Sequence, residues 1–302
     1  MMKPFTLEWV ITEKEEGITI KEFLQRKNLS KRALTEIKLH GGDLLINGSH
    51  VTVRHLLQKS DCLTVIFPVE EVSPSLLVEK IPLNIIYEDE MLLVVNKPAF
   101  MNTIPSREHP VGSLANALMG YYENIGLTAS PHIVTRLDRN TSGLVLIAKH
   151  RHIHHLLSES QKRKHVKREY EAIVEGTVLL NAGTIEAPIG RKKDSIIERT
   201  VVEDGQYACT HYQVLTRLAN MTHVKLQLET GRTHQIRVHM AHIGHPLVGD
   251  GLYGGGTEYL NRQALHCRRL CFLHPMLGEK MEFTASRPSD LETLLKRDYS
   301  KG

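Results

Sequence analysis

Apolar positions along the chain fall into two regimes. Between residues 17 and 67 they mark a compact unit of short elements. Ile20, Phe23 and Leu24 recur at helical spacing, and a second helical stretch runs from Ser30 to Leu39 until Gly41–Gly42 stops it. Ser30 is the N-cap candidate of that helix, and Lys31, Arg32 and Lys38 fall on or near one polar face. Leu44–Leu45–Ile46 then runs into Asn47–Gly48, the strongest short hairpin signal, and Leu63 to Phe67 reads as a closing strand. Residues 71–82, with Pro74 and Pro82, read as a linker that follows Pro68. A second regime begins after it, dominated by strands: a hairpin from Ile85–Tyr87 to Leu92–Val95, then strands at Arg168–Val174, His211–Leu218 and His223–Leu228. Helices are predicted near Ser113–Asn124, His150–Lys162 and Thr233–Ile243. Strands and helices do not alternate strictly, so the body is expected to be α+β, with a mixed, mainly antiparallel sheet around a central cleft.

Composition narrows the classes. The 302 residues exceed one typical domain, and 41% hydrophobic with 24% charged residues suits a globular protein with a sizeable core. No apolar run approaches a membrane span, so a cytoplasmic protein without membrane contact is expected. Cys62, Cys209, Cys267 and Cys271 are scattered, the pattern of reduced thiols. The formal charge of +4 is mild, yet cations cluster at Lys162–Arg163–Lys164 with Lys167–Arg168, at Arg191–Lys192–Lys193 and at Arg268–Arg269. Such runs suit a polyphosphate, or simply a solvated face.

The most informative stretch is His132 to Lys149. Branched apolar runs flank Asp138–Arg139–Asn140–Thr141–Ser142–Gly143, which reads strand, turn, strand and sets Asp138 at the lip of a sheet. A carboxylate there can serve as nucleophile or base, or merely cap the turn. Two histidine groups, at 150–155 and 234–245, lack the spacing and acidic partner of a His-Glu-x-x-His site, and Cys267 and Cys271 have no matching pair, so no metal is expected. Gly254–Gly–Gly256 lacks the Lys-Ser/Thr of a phosphate loop, and no Gly-x-Ser-x-Gly elbow supports serine hydrolysis.

The string Arg136–Leu137–Asp138 with Thr141–Ser142–Gly143–Leu144 resembles the signature of RluA-type pseudouridine synthases. The likeness continues colinearly over about two hundred residues, through Asn96–Lys97–Pro98, Tyr170–Glu–Ala172, Thr230–Gly231–Arg232–Thr233–His234–Gln235–Ile236–Arg237, Gly249–Asp250, Tyr253–Gly254 and Leu265–His266. It departs at Thr135, where the family usually has His, and at Phe100, where Gly is usual. The resemblance implies site-specific isomerisation of uridine to pseudouridine in structured RNA, without a cofactor. Asp138 would act by attack on the sugar, attack on the base or proton abstraction. Arg237 would pair with it, since a guanidinium favours the charged carboxylate. Tyr170 would stack on the uracil and serve the carbon 5 proton, Arg136 would fill the space of the flipped base, and Leu265 would wall the pocket. Arg232 would touch phosphate, with Thr233 as cap of the helix that carries Arg237, and Lys97–Pro98 would fix the end of a strand beside the site or, with Asn96, contact RNA.

The earlier unit resembles the RNA-binding domain named after ribosomal protein S-four, over about fifty residues. The likeness rests on Phe23–Leu24, Ser30–Lys31–Arg32, Gly41–Gly42, Leu45–Ile46–Asn47–Gly48 and Asp61, while Ile18–Thr19–Ile20 stands where Arg-Leu-Asp is usual. It implies an RNA grip through Ser30, Lys31, Arg32 and Lys38. The expected organisation is therefore an RNA-binding domain at 15–70, a linker at 71–82 and a catalytic domain at 83–290. Ribosomal RNA is the favoured partner, transfer RNA the second, and a monomer is expected. The competing readings are a non-catalytic RNA-binding or ribosome-assembly protein on the same scaffold, and a uracil glycosylase or nuclease.

Overall fold

A computed structural model describes residues 4–72 and 75–297; Pro74 of the expected linker lies outside the described residues. The N-terminal unit comprises β1 (Thr6–Val10), α1 (Ile20–Arg26), α2 (Lys31–Leu39), β2 (Asp43–Ile46), β3 (Ser49–His50) and β4 (Cys62–Ile66). Both helices start where side chains satisfy free backbone N–H groups. Thr19 and Glu22 form a reciprocal capping box, and the Ser30 hydroxyl accepts from Ala33 N at 3.1 Å. Asn47 and Gly48 both sit at positive φ, 51° and 82°, and close a two-residue hairpin between Ile46 and Ser49. The apolar faces of the helices meet the sheet in a core of Ile20, Phe23, Leu24, Ile37, Leu63 and Val65. The sequence suggests a start near residue 15, but β1 pairs along β4 from Thr6–Ile66 to Val10–Cys62. Only Leu7 of that strand is buried, too sparse a pattern to read as a strand.

The body contains β5 (Ile85–Glu88), β6 (Leu92–Lys97), α3 (Leu114–Ile125), β7 (His132–Ile133), β8 (Ser142–Ala148), α4 (Arg151–Lys162), β9 (Lys167–Glu175), β10 (Ala182–Glu186), β11 (Ile189–Arg191), β12 (Arg199–Val201), β13 (Cys209–Arg217), β14 (Met221–Leu228), α5 (Gln235–His242), β15 (Leu265–Leu273), β16 (Lys280–Thr284) and α6 (Ser289–Arg297). A 10-stranded sheet runs β10-β13-β14-β9-β15-β8-β6-β5, with β16 beside β15 and β7 beside β8. All pairings of this sheet among the described residues are antiparallel except β15 with β8, which makes the sheet mixed and mainly antiparallel, as expected. That parallel contact explains a motif residue. A Cβ on Gly143, whose φ is +116°, would lie 2.3 Å from the Cys267 carbonyl oxygen, so only glycine admits β15 this close.

Strand β15 itself escaped the sequence reading. It is a central strand, but a bulge between Cys267 and Arg269 sets consecutive arginines side by side and breaks the alternation. The strand expected at His132–Thr135 is shorter, ending at Ile133. Helix α5 is capped by His234 in the left-handed conformation, φ 57°, not by Thr233.

The two units meet through aromatic stacking. Phe5 lies 3.8 Å from the His150 ring, and Phe67 stacks on His152 at 5.3 Å. Glu70 accepts from Arg151 N at 2.7 Å and lies 2.6 Å from His132, while Arg151 reaches Glu36 of α2 at 3.6 Å. A cavity of about 740 Å³ opens at this seam. Burial holds His150 and His152 down at about 4, with Glu70 partly opposing it at His150 and the His155 charge adding to it at His152. The unfolded chain protonates a histidine near 6.5. Between roughly 6.5 and 4 the unfolded state therefore binds protons that the folded state refuses, and stability falls as pH falls through that window. His152→Phe keeps the stack on Phe67 and removes one such group. Between pH 7 and pH 5 it should gain about 2 kcal/mol on the wild type in denaturant unfolding; parallel pH dependence of the two proteins would refute this account of the seam.

Candidate active site

Asp138 lies in the turn between β7 and β8, and four side chains hold the residues on either side of it. The Thr103 hydroxyl donates to Leu137 O at 2.7 Å and accepts from Leu137 N at 3.2 Å. Lys97, at the end of β6, donates to the carbonyls of Pro98 and Met101 at 2.8 Å and of Arg139 at 3.2 Å. The fully buried Arg262 donates to Asn140 O at 3.2 Å, and Gln263 donates to Thr141 Oγ1 at 3.1 Å. Lys97 is thus a buried strut of the turn, not an RNA contact. Burial pushes its amine down to about 7, Asp138 pulls it back up and Arg262 lowers it further. Its three carbonyl acceptors match the three hydrogens of the ammonium form.

With the backbone fixed, the Asp138 carboxylate remains part-exposed at 28% and faces helix α5. Arg237 Nη1 lies 3.5 Å from Asp138 Oδ2, and His234 Nε2 lies 3.9 Å from the same oxygen. The expected pairing with Arg237 is present, but it is the weaker of that residue's two. Arg237 Nε and Nη2 each donate at 2.7 Å to the two oxygens of Asp250, a bidentate buried pair. Burial opposes the arginine charge; the hydrogen bonds and charge of Asp250 outweigh it and raise Arg237 above its ordinary value. The Tyr253 ring lies 4.8 Å beneath the guanidinium, and its hydroxyl, which accepts from Arg199 N, is 2.8 Å from His234 Nδ1. Burial pushes His234 down, Asp138 pulls it up and Arg237 lowers it. Asp250, Tyr253 and His234 stood in the matched blocks without a role, because nothing in the sequence shows that the 249–254 turn folds beneath α5.

Tyr170, on β9, and Leu265, on β15, belong to the buried wall behind this site at 4% exposure each. Burial pushes the Tyr170 hydroxyl well up, opposed by Arg168 and reinforced by Cys267 and Asp138, so Asp138 and Tyr170 are electrostatic neighbours. Arg136 is exposed on the same turn, and among the described residues its side chain has no ion-pair partner. Arg232 is exposed before α5, its Nε donating to Tyr207 O at 3.0 Å. Ser30, Lys31, Arg32 and Lys38 lie away from this site on α2, where Arg32 pairs with Glu36 at 3.1 Å. Of the basic clusters, Lys162, Lys164, Lys192, Arg268 and Arg269 each meet a carboxylate, which balances half of the cations in these runs. The two departures also have local explanations. The Thr135 hydroxyl accepts from Leu146 N at 2.9 Å, and Phe100 occupies a left-handed conformation, φ 66°, that glycine adopts without strain. The seam cavity holds none of the residues around Asp138, which sits on an open face.

Residues 91–242 match the family described as RNA pseudouridylate synthase. The chain belongs to that family. It is 54% identical to an uncharacterized RNA pseudouridine synthase of Bacillus subtilis, YjbO, over 92% of this chain and 99% of that one. It is 40% identical to ribosomal large subunit pseudouridine synthase D of Pseudomonas aeruginosa, over 85% of both chains. Among solved structures, human RNA pseudouridylate synthase domain containing 4 superposes with a TM-score of 0.59 at 25% identity, covering 72% of this chain and 93% of that one. The pseudouridine synthase family assigns the reaction class: isomerisation of uridine in RNA, by an enzyme. Among the described residues no helix is long and apolar enough to cross a membrane.

The buried Arg237–Asp250 pair sets the first expectation for this site. Asp250→Asn should cost about 3 kcal/mol or more, because it leaves a buried guanidinium without its countercharge, and modification activity should fall with it. Denaturant midpoints for the two proteins check this; a variant within about 0.5 kcal/mol of wild type would show that the pair does not hold Arg237.

Proposed function

We propose that the chain converts a uridine in structured ribosomal RNA to pseudouridine with Asp138 as the catalytic carboxylate. The observation that carries this reading is the approach of Arg237 to Asp138 at 3.5 Å while Asp250 fixes the far side of the guanidinium. Isomerisation breaks the bond from uracil N1 to the ribose, turns the base and joins the ribose to carbon 5, whose proton departs as one is gained at N1. Nothing is oxidised or hydrolysed. The step calls for one ionised carboxylate, which acts by attack on sugar or base or by proton abstraction. A clamped guanidinium keeps such a carboxylate charged and aimed without hydrogen-bonding it fully away from the substrate.

The target base must leave its stack to reach this turn, which costs a few kcal/mol and favours loops and bulges. Tyr170 and Leu265 then wall the pocket, and a hydroxyl held protonated by burial suits Tyr170 as a planar surface or donor better than as a base. Arg136, exposed and without a carboxylate partner among the described residues, is the side chain to enter the vacated stack. Among the described residues the terminal amines of Arg232 have no hydrogen-bond partner, and they approach phosphate from the start of α5. Lys31, Arg32 and Lys38 of α2 grip backbone elsewhere on the same RNA; the Ser30 hydroxyl is engaged in capping, so it contributes a donor at most. Ribosomal RNA is favoured over transfer RNA by the extra N-terminal unit and by relatives named for the large ribosomal subunit. The setting is the cytoplasm, and the enzyme acts as a monomer.

Asp138→Asn preserves size and removes the charge. Pseudouridine formation should fall to background, while RNA affinity changes less than about threefold. Mass spectrometry of the pseudouridine-specific adduct, alongside filter binding, reads both; measurable turnover by the variant removes Asp138 from the mechanism. Mapping pseudouridine in cells with and without the protein separates ribosomal from transfer RNA. Replacing Lys31 and Lys38 together by alanine should weaken binding and lower the salt slope by about one for each phosphate that is no longer neutralised. An unchanged slope would mean that α2 does not hold RNA.

A further inference from the structure

Away from Asp138, the outer edge of the large sheet gathers residues that the isomerisation does not use. Strand β10 pairs with β13 so that Thr184 lies opposite His211 and Glu186 opposite Cys209. Alternate residues of a strand share a face, so Cys209 and His211 point the same way, toward the Thr184–Glu186 face beside them. Glu229, just past β14, joins them: its N–H donates to Cys209 O at 3.2 Å, and its Oε1 lies 2.8 Å from His211 Nε2. Cys209 Sγ is 3.8 Å from the same His211 nitrogen, and the three side-chain atoms all lie within 4.8 Å of one another.

We propose that Cys209, His211 and Glu229 bind one zinc-class divalent transition-metal ion. Zinc takes sulfur at about 2.3 Å and nitrogen or oxygen at about 2.0–2.2 Å in tetrahedral geometry, which separates neighbouring ligand atoms by roughly 3.3–3.7 Å. The sulfur–nitrogen and nitrogen–oxygen distances bracket that range, so small side-chain adjustments close the site on a common centre without moving the strands. The surroundings are those of a ligand set. His211 Nδ1 lies 2.9 Å from Thr184 Oγ1, which fixes the ring with Nε2 directed at the centre, and Lys164 holds the other Glu229 oxygen at 2.7 Å. A plain ion pair between His211 and Glu229 accounts for the nitrogen and the oxygen; the buried thiol, which also lies 3.9 Å from Glu186 Oε1, adds the soft donor that a metal site calls for.

On binding, the Cys209 S–H bond breaks, its proton goes to solvent and a metal–thiolate bond forms. His211 ligates through Nε2 as the neutral ring, its remaining hydrogen on Nδ1 donated to Thr184, and water completes the fourth position. The role is structural. Cys209 also donates its N–H to Thr230 Oγ1 at 3.0 Å and accepts from Gln235 Nε2 at 3.0 Å, so the ion would pin the turn that carries Arg232 and His234 toward Arg237.

The test uses the full chain stripped of metal and then titrated with zinc or cobalt(II). One metal per chain should bind, cobalt should give a thiolate-to-metal charge-transfer band, and zinc should raise the melting temperature. Cys209→Ser should lose the band and Cys271→Ser should keep it. His211→Gln and Thr184→Val should each weaken affinity about tenfold or more. Should the buried Cys209→Ser variant fail to fold, His211→Gln and Glu229→Gln, both at part-exposed positions, decide the matter. Cobalt binding without a thiolate band, or undiminished affinity in both of those variants, overturns the proposal.

Discussion

The buried pair between Arg237 and Asp250 is the interaction on which the site depends. A charged arginine at 8% side-chain exposure is costly to bury in an apolar wall unless something matches that charge, and Asp250 does so through two hydrogen bonds. Because the match uses Nε and Nη2, Nη1 is left over and looks out at Asp138. A guanidinium can serve two carboxylates from two edges in this way; a lysine, as a point charge, could not hold one and orient toward the other. The second aspartate is therefore what turns the arginine from a mobile countercharge into a fixed one.

The opposite side of the carboxylate is built by the same logic, with buried cations tied to backbone. Lys97 and Arg262 each give one donor to the loop, to the carbonyls of Arg139 and Asn140, and tie it to the backbone at 98–101 and 263–265, while Arg262 is neutralised by Asp290 of α6 at 2.7 Å. A polar turn at the end of two apolar strands would otherwise be free to reorganise. Two elements far apart in sequence, β6 and the segment before β15, thus converge on one short loop, and α6 backs the second of them.

Much of this was legible beforehand. The elements with clear periods, α1, α2, α3, α4 and β9, fell where the apolar spacing put them, and the Asn47–Gly48 hairpin closed as its turn chemistry required. Asp138, Arg237 and Tyr170 were brought together by motif and came together in space. What could not be read was anything set by packing between distant segments. Asp250 stood in a matched block without a role, Lys97 was read both as the end of a strand beside the site and as an RNA contact, and the bulge at Cys267–Arg269 hid a central strand behind two arginines. The grouping of Cys209, His211 and Glu229, on which the metal proposal rests, was likewise invisible, since it comes from strand register and not from a spaced motif.

The position of β15 carries a kinetic consequence. It lies between β9 and β8, and the two side chains just ahead of it, Arg262 and Gln263, hold the loop that bears Asp138. A chain still emerging from the ribosome has its N-terminal unit complete long before those residues exist. Contacts of such long sequence separation form late. The nascent protein consequently completes its N-terminal unit first and the loop that bears Asp138 last, so a truncated chain that lacks β15 has the first without the second.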